Sequence, residues 1–215
     1  MDLPRVALAD TTGPSGLLAA LARAAELLSA GEYPWALVGG LAVSVRVEPR
    51  FTRDIDLSVA VTSDHQAESV VSAFAASGFL LTTSLEQTAL GRLAAVRLLA
   101  PRESPDGVVV DLLFASSGIE QDICREAEAL EVVPGLVVPV ARIGHLVAMK
   151  ILALAHDRPQ DAVDLLALLQ VITPQDTMLA VDAAAAIERV GANRGRDLRA
   201  DLDGWLARSR AQPYG

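Results

Sequence analysis

The chain has 215 residues, 52% of them hydrophobic and 21% charged, which is enough apolar material for one large core or two small ones and is a globular composition, not that of a disordered chain. Its net charge of -9 argues against broad nucleic-acid binding through phosphate neutralisation and leaves room for a local basic channel. Cys124 is the single cysteine, which excludes an internal disulfide and fits a reducing cytoplasm, and the most apolar stretch, 136–155, carries Arg142, His145 and Lys150, against a membrane span.

Residues 1–14 read as a loose lead-in with no apparent signal peptide, interrupted by Asp2, Arg5 and Asp10 and broken by Pro4, Gly13 and Pro14. Leu17, Leu18, Leu21, Leu27 and Leu28 recur at helical spacing over 16–30, with Ser15 to cap the start and Gly31 to stop it. A short apolar strand, Trp35 to Val38, leads into a Gly39-Gly40 turn and a helix from about Leu41. After a loop holding Pro49, a second strand opens at Asp54 and continues through Val61.

Residues two apart on a strand share a face, so Asp54 and Asp56 project together while Ile55, Leu57 and Val59 point to the core. Two carboxylates that close repel, and one takes up a proton near neutral pH unless a cation or donor neutralises it. The Asp-x-Asp pair alone reads as the polar face of an edge strand. The double glycine upstream adds bare amides that can approach a phosphate beside a helix N-terminus, and the two halves together suggest a triphosphate site with a hard divalent ion.

Further along, 62–77 reads as an amphipathic helix with Val70, Val71 and Phe74 on one side. Strands follow at 79–83 and 93–99, and the turn-rich PRESPDG segment, 101–107, makes a hairpin with a strand over 108–114. That last strand is nearly all apolar except for Asp111, a carboxylate that is costly there unless paired or bound to a metal. A surface helix spans 118–129 and carries Cys124, which reads as a buried small residue because no His and Asp partner it at nucleophile spacing. A short hairpin over 130–138 turns at Pro134-Gly135, and Pro139 marks the boundary to a helical part.

The helix 141–156 sets Lys150, the one lysine among 17 arginines, amid inward-facing Leu146, Val147, Ile151 and Leu152. It reads either as a lysine snorkelling to water or as a phosphate clamp reaching across a cleft. Pro159 opens the next helix, with Asp161 in its first turn and Asp164 on the same face. Two closing helices, 174–190 and 195–208, are alanine-rich and then arginine-rich. Arg194, Arg196 and Arg199 alternate there with Asp197, Asp201 and Asp203, the pattern of a solvated, paired face.

Gly39-Gly40 followed by Arg53-Asp54-Ile55-Asp56-Leu57 resembles the signature of the nucleotidyltransferase superfamily that includes DNA polymerase beta, and more narrowly the small bacterial AbiEii-type nucleotidyltransferases, many of them toxins of toxin and antitoxin pairs. The resemblance covers most of the chain and is tight at a few short motifs. Arg158, Asp161 and Asp164 are similar to the arginine, then Asp-x-x-Asp-Leu motif that follows the lysine helix in this family; Gln160 departs from the basic residue often found there, which leaves Asp161 open between a structural bond and substrate contact.

The resemblance implies an α/β nucleotidyltransferase-like mixed sheet flanked by helices over 1–139, a helical C-terminal domain over 140–215, and a cleft between them. It implies transfer of a nucleoside monophosphate from a nucleoside triphosphate to an acceptor, with Asp111 as a third acid beside Asp54 and Asp56 and with one or two Mg2+ ions held by the three. Gly39 and Gly40 would offer amides to the phosphates, Ser44 and Arg53 would lie near them, and Lys150 and Asp161 would complete the nucleotide site. The acceptor implied is RNA, a tRNA end among the candidates, with an antitoxin protein opposing the enzyme. A small-molecule or protein adenylyltransferase and a non-catalytic nucleotidyltransferase-fold partner stand as alternatives.

Overall fold

The computed structural model describes residues 14–47, 52–87, 91–101, 107–154 and 159–211. The lead-in before Pro14, Pro49, the middle of PRESPDG, His156 and Arg158 lie outside these residues.

Apolar alternation builds one seven-stranded mixed sheet from β1 (Trp35–Val38), β2 (Asp54–Val59), β3 (Leu80–Gln87), β4 (Arg92–Leu99), β5 (Val109–Leu113), β6 (Glu128–Val133) and β7 (Leu136–Val140), in the order β3-β4-β5-β2-β1-β7-β6. β2 runs parallel to β5 and antiparallel to β1, and β4 runs antiparallel to β5. Ile55, Leu57, Val110, Leu112, Val96 and Leu98 alternate inward and are buried. Each such side chain contributes about 1.5–3 kcal/mol by leaving water. The opposite face of the same strands carries Asp54, Asp56, Asp111 and Arg97.

Helix α1 (Pro14–Ala30) packs on β2 and on α3 (Asp64–Ala76), which also packs on β4. Ser63 caps α3 by accepting from the Gln66 amide, and Phe74 meets Phe79 edge to face at a centroid distance of 4.9 Å. Helix α2 (Gly39–Arg46) lies against β1 and β2, and α4 (Glu120–Arg125) is short. Glu120 is buried at its start, accepting from the Ser117 amide at 2.7 Å and the Ser117 hydroxyl at 2.9 Å. Four helices follow β7: α5 (Ile143–Ala153), α6 (Pro159–Val171), α7 (Pro174–Arg189) and α8 (Leu198–Ala211). α5 is their hub, touching α6, α7, α8 and α2. Gly144 is required there, because a Cβ would press on the Asp176 carbonyl and the Leu179 side chain of α7.

The elements match those read from sequence in number and type, with three differences. The double glycine is the first turn of α2 and not a loop ahead of it, since Gly39 takes φ +65° and the helix starts on it. β3 continues to Gln87, drawn out by its pairing with β4. The helix expected over 118–129 shrinks to α4 because Glu128 and Ala129 pair with β7.

Candidate active site

The site grows from the β2–β5 pairing. Parallel register sets Asp56 directly beside Asp111 and Asp54 beside Val109, while the antiparallel pairing with β1 brings Val38, the residue before α2, across from Asp56. α2 therefore begins over Asp56. Val38 offers no side-chain cap, so the first amides of α2 are left without an intrahelical or side-chain acceptor. Gly39 is required twice: its φ is positive, and a Cβ built on it would overlap the Asp56 carboxylate.

Burial, together with the negative charges of Asp111 and Asp54, pushes the Asp56 carboxyl up to about 6, against the opposing pull of Lys150 and Arg97. Asp111 has a different partner. Arg97, opposite it on β4, donates from Nε to Oδ1 at 2.9 Å and from Nη2 to Oδ2 at 2.7 Å, a two-pronged ion pair that engages both carboxylate oxygens. Among the described residues no three Asp, Glu, His or Cys side chains stand as a ready-made metal cage. The donors that are present are hard carboxylate oxygens, and magnesium is commonly held by one or two carboxylates with substrate phosphates supplying the rest. Asp56 and Asp111 with an incoming triphosphate fit that pattern once Arg97 yields an oxygen.

A cleft of about 640 Å³ opens over this face of the sheet, lined by Gly39, Asp56, Arg97 and Asp111 on one wall and by Leu146, Met149, Lys150 and Asp161 on the other. Lys150 is 9% exposed and does not snorkel. Its ammonium lies 2.7 Å from Asp161 Oδ1 and 2.7 Å from Asp164 Oδ2, tying α5 to α6. Asp164 is buried, and Gln160 Nε2 also donates to it at 3.1 Å. Among the described residues, two of the three ammonium donors are thus engaged, which leaves one for the cleft.

The other sequence-predicted residues take these positions. Gly40 is buried in α2 and its carbonyl accepts from the Ser44 hydroxyl at 3.1 Å. Arg53 is exposed just ahead of β2, and Arg158 lies outside the described residues. Cys124 is half-buried on α4, its thiol pushed up to about 11, mainly by burial, and its Sγ lies 3.4 Å from the Ser58 carbonyl. Sequence reading missed Arg97. It also missed Arg46, which closes α2 onto β7 by donating to the carbonyls of Val140 and Ala141 at 3.0 Å each.

Residues 20–213 match the family described as "Nucleotidyl transferase AbiEii toxin, Type IV TA system". The chain belongs to this AbiEii nucleotidyltransferase family. It is a nucleotidyltransferase, and nucleoside monophosphate transfer is the chemistry of its class. Among solved structures, an antigenic nucleotidyltransferase-like protein from Paracoccidioides brasiliensis is similar over 90% of this chain and 93% of its own, with 20% identity and a TM-score of 0.54. The lincosamide antibiotic adenylyltransferase LnuA, lincomycin-bound, is similar over 72% of this chain and 97% of its own, with 14% identity and a TM-score of 0.47. The antibiotic-resistance factor ANT(2'')-Ia is similar over 93% of this chain and 97% of its own, with 13% identity and a TM-score of 0.45. The first likeness speaks to the fold. No curated protein matches the chain in sequence. Among the described residues no helix is long and apolar enough to cross a membrane.

Proposed function

We propose that this AbiEii-family enzyme transfers a nucleoside monophosphate from a nucleoside triphosphate to RNA, acting as a toxin opposed by an antitoxin protein. The observation that carries the chemistry is the register of Asp56 beside Asp111, under an uncapped helix start whose first residue has to be glycine. The family description supports the toxin role.

Asp56 and Asp111, with Asp54 two residues along, would hold Mg2+, which when bound neutralises triphosphate charge and polarises the phosphorus that is attacked. The amides of Gly39 and Gly40 orient the phosphates at the positive end of α2. Lys150 directs its remaining donor to the same group, and Asp161 and Asp164 fix the direction of that ammonium. The attacking hydroxyl bonds to the α-phosphorus, the bond to the pyrophosphate oxygen breaks, and the hydroxyl proton leaves to a carboxylate or to solvent. Arg97 keeps Asp111 paired while no nucleotide is present, which spares the fold an unmatched third carboxylate.

Incubation of the protein with each α-labelled nucleoside triphosphate, magnesium and total RNA tests this reading. Label should enter RNA with the unaltered protein and stay at background with Asp56→Asn. If RNA stays unlabelled with all four nucleotides, the toxin reading fails. Label on an aminoglycoside or on protein in parallel reactions would select the adenylyltransferase alternative, and no metal-dependent triphosphate binding at all would leave a non-catalytic partner.

A further inference from the structure

Among the described residues three cations line the cleft: Arg97, Lys150 and Arg194. Arg97 is matched by Asp111, and Lys150 by Asp161 and Asp164. Among the described residues, no hydrogen bond or ion pair holds the guanidinium of Arg194. The described acids of the cleft, Asp56, Glu86, Asp111 and Asp161, outnumber these cations, so among the described residues a polyanion entering it meets one positive side chain that is not already matched.

The backbone beneath Arg194 is equally unusual. The Arg196 amide donates to the Asn193 carbonyl at 3.1 Å, closing a four-residue turn whose central residues, Arg194 and Gly195, have φ of 55° and 71°. Positive φ at both central positions is the type I′ pattern, which favours Asn, Asp or Gly at the first of them and disfavours a long L side chain. Arginine at this place works against the local conformation. Strained residues of this kind concentrate where a side chain has a task.

The turn is also firmly mounted. Arg196 Nη1 donates to the carbonyls of Ile151 at 2.7 Å and Leu154 at 3.2 Å at the C-terminal end of α5, and its Nη2 pairs with Asp201 at 2.7 Å. Asn193 Nδ2 donates to the Arg196 carbonyl at 2.6 Å. The helix that presents Lys150 to the cleft therefore also sets the position of Arg194.

We infer that Arg194 is a phosphate-binding residue of the cleft, its guanidinium taking the triphosphate tail of the nucleotide. This rests on the nucleoside triphosphate reading above. A planar fork of donors suits phosphate oxygens, and it adds the positive charge that the paired Arg97 and Lys150 no longer supply.

Arg194→Asn separates the task from the turn, because asparagine is at home at positive φ. The test is calorimetric titration of each nucleoside triphosphate with magnesium, and of the matching monophosphate, into unaltered protein, Arg194→Asn and Arg194→Lys, with melting temperatures recorded for all three. Arg194→Asn should melt at the same or a higher temperature, bind the triphosphate about tenfold more weakly, and bind the monophosphate nearly as before, as one charge-assisted contact would require. Arg194→Lys should recover part of the loss. Unchanged triphosphate affinity in Arg194→Asn overturns the inference, and so does a loss that comes with a lowered melting temperature or falls equally on the monophosphate. Should the unaltered protein bind no triphosphate, the nucleotide reading itself falls and takes this inference with it.

Discussion

Replacing Asp56 by asparagine isolates the strain of crowding carboxylates on the floor of the cleft. Burial first, then Asp111 and Asp54, raise this carboxyl from its ordinary 3.8 to about 6, so the folded chain holds the proton more tightly than the unfolded chain. The stability contributed is fully present below about pH 3.8 and is lost as the pH rises through about 6. A rise of about 2.2 pH units at about 1.4 kcal/mol each amounts to about 3 kcal/mol at most. Asparagine keeps the shape that rests against Gly39 and carries no charge to lose. In urea titrations with a chelator present, Asp56→Asn should be more stable than the unaltered protein by up to about 3 kcal/mol at pH 8 and by about half that at pH 5. At roughly 2–4 °C per kcal/mol for a chain of this size, the melting temperature at pH 8 should rise by roughly 6–12 °C. Nucleotidyl transfer should meanwhile fall to background. A variant no more stable than the parent at pH 8, or one stabilised equally at both pH values, would refute the assignment of Asp56 as a crowded, desolvated acid.

Lys150→Met should destabilise by about 3–5 kcal/mol in urea, because it breaks a buried ion pair by removing the ammonium held between Asp161 and Asp164, and adding Asp164→Asn should restore part of that. Equal stabilities of the single and double variants would contradict the pairing. Arg97→Ala releases both oxygens of Asp111, so Mn2+ affinity read by calorimetry should tighten severalfold, whereas a weaker or unchanged affinity would show that the guanidinium does not compete with the metal. Cys124, with its thiol near pKa 11, should react with iodoacetamide at pH 8 far more slowly in the native protein than in urea; comparable rates would mean the thiol is not held in an apolar setting.

Much of the cleft could be read from spacing. Alternation put Asp54 and Asp56 on one face, and the hairpin around 101–107 makes Arg97 and Asp111 mirror positions, each seven residues from Ser104, so that their pairing was within reach of sequence reasoning. The pairing stays hidden while β4 is read alone, because an arginine on an apolar strand looks like a solvent-facing position until the register with β5 is set. The partners of Lys150 were harder to see. Asp161 and Asp164 share a helix face, but only the angle at which α6 returns across α5 brings them to the ammonium, and no local periodicity encodes that angle. Gly39 was legible as a special residue and not as the start of α2, since Val38 supplies none of the usual capping signals. Arg194 looked like one more charge on a solvated face, because a turn with two positive φ values announces itself in sequence only when Asn or Gly fills the first central position.

The lysine that faces the cleft stands on α5 and the acids stand on β2 and β5, with Val140 as the last residue of the sheet between them. A product terminated shortly after that point would keep Asp54, Asp56 and Asp111 and lose the ammonium, the second wall with its Asp161, and the clasp that positions both. A chain cut between Val140 and Lys150 would therefore be disarmed as thoroughly as one changed at Asp56.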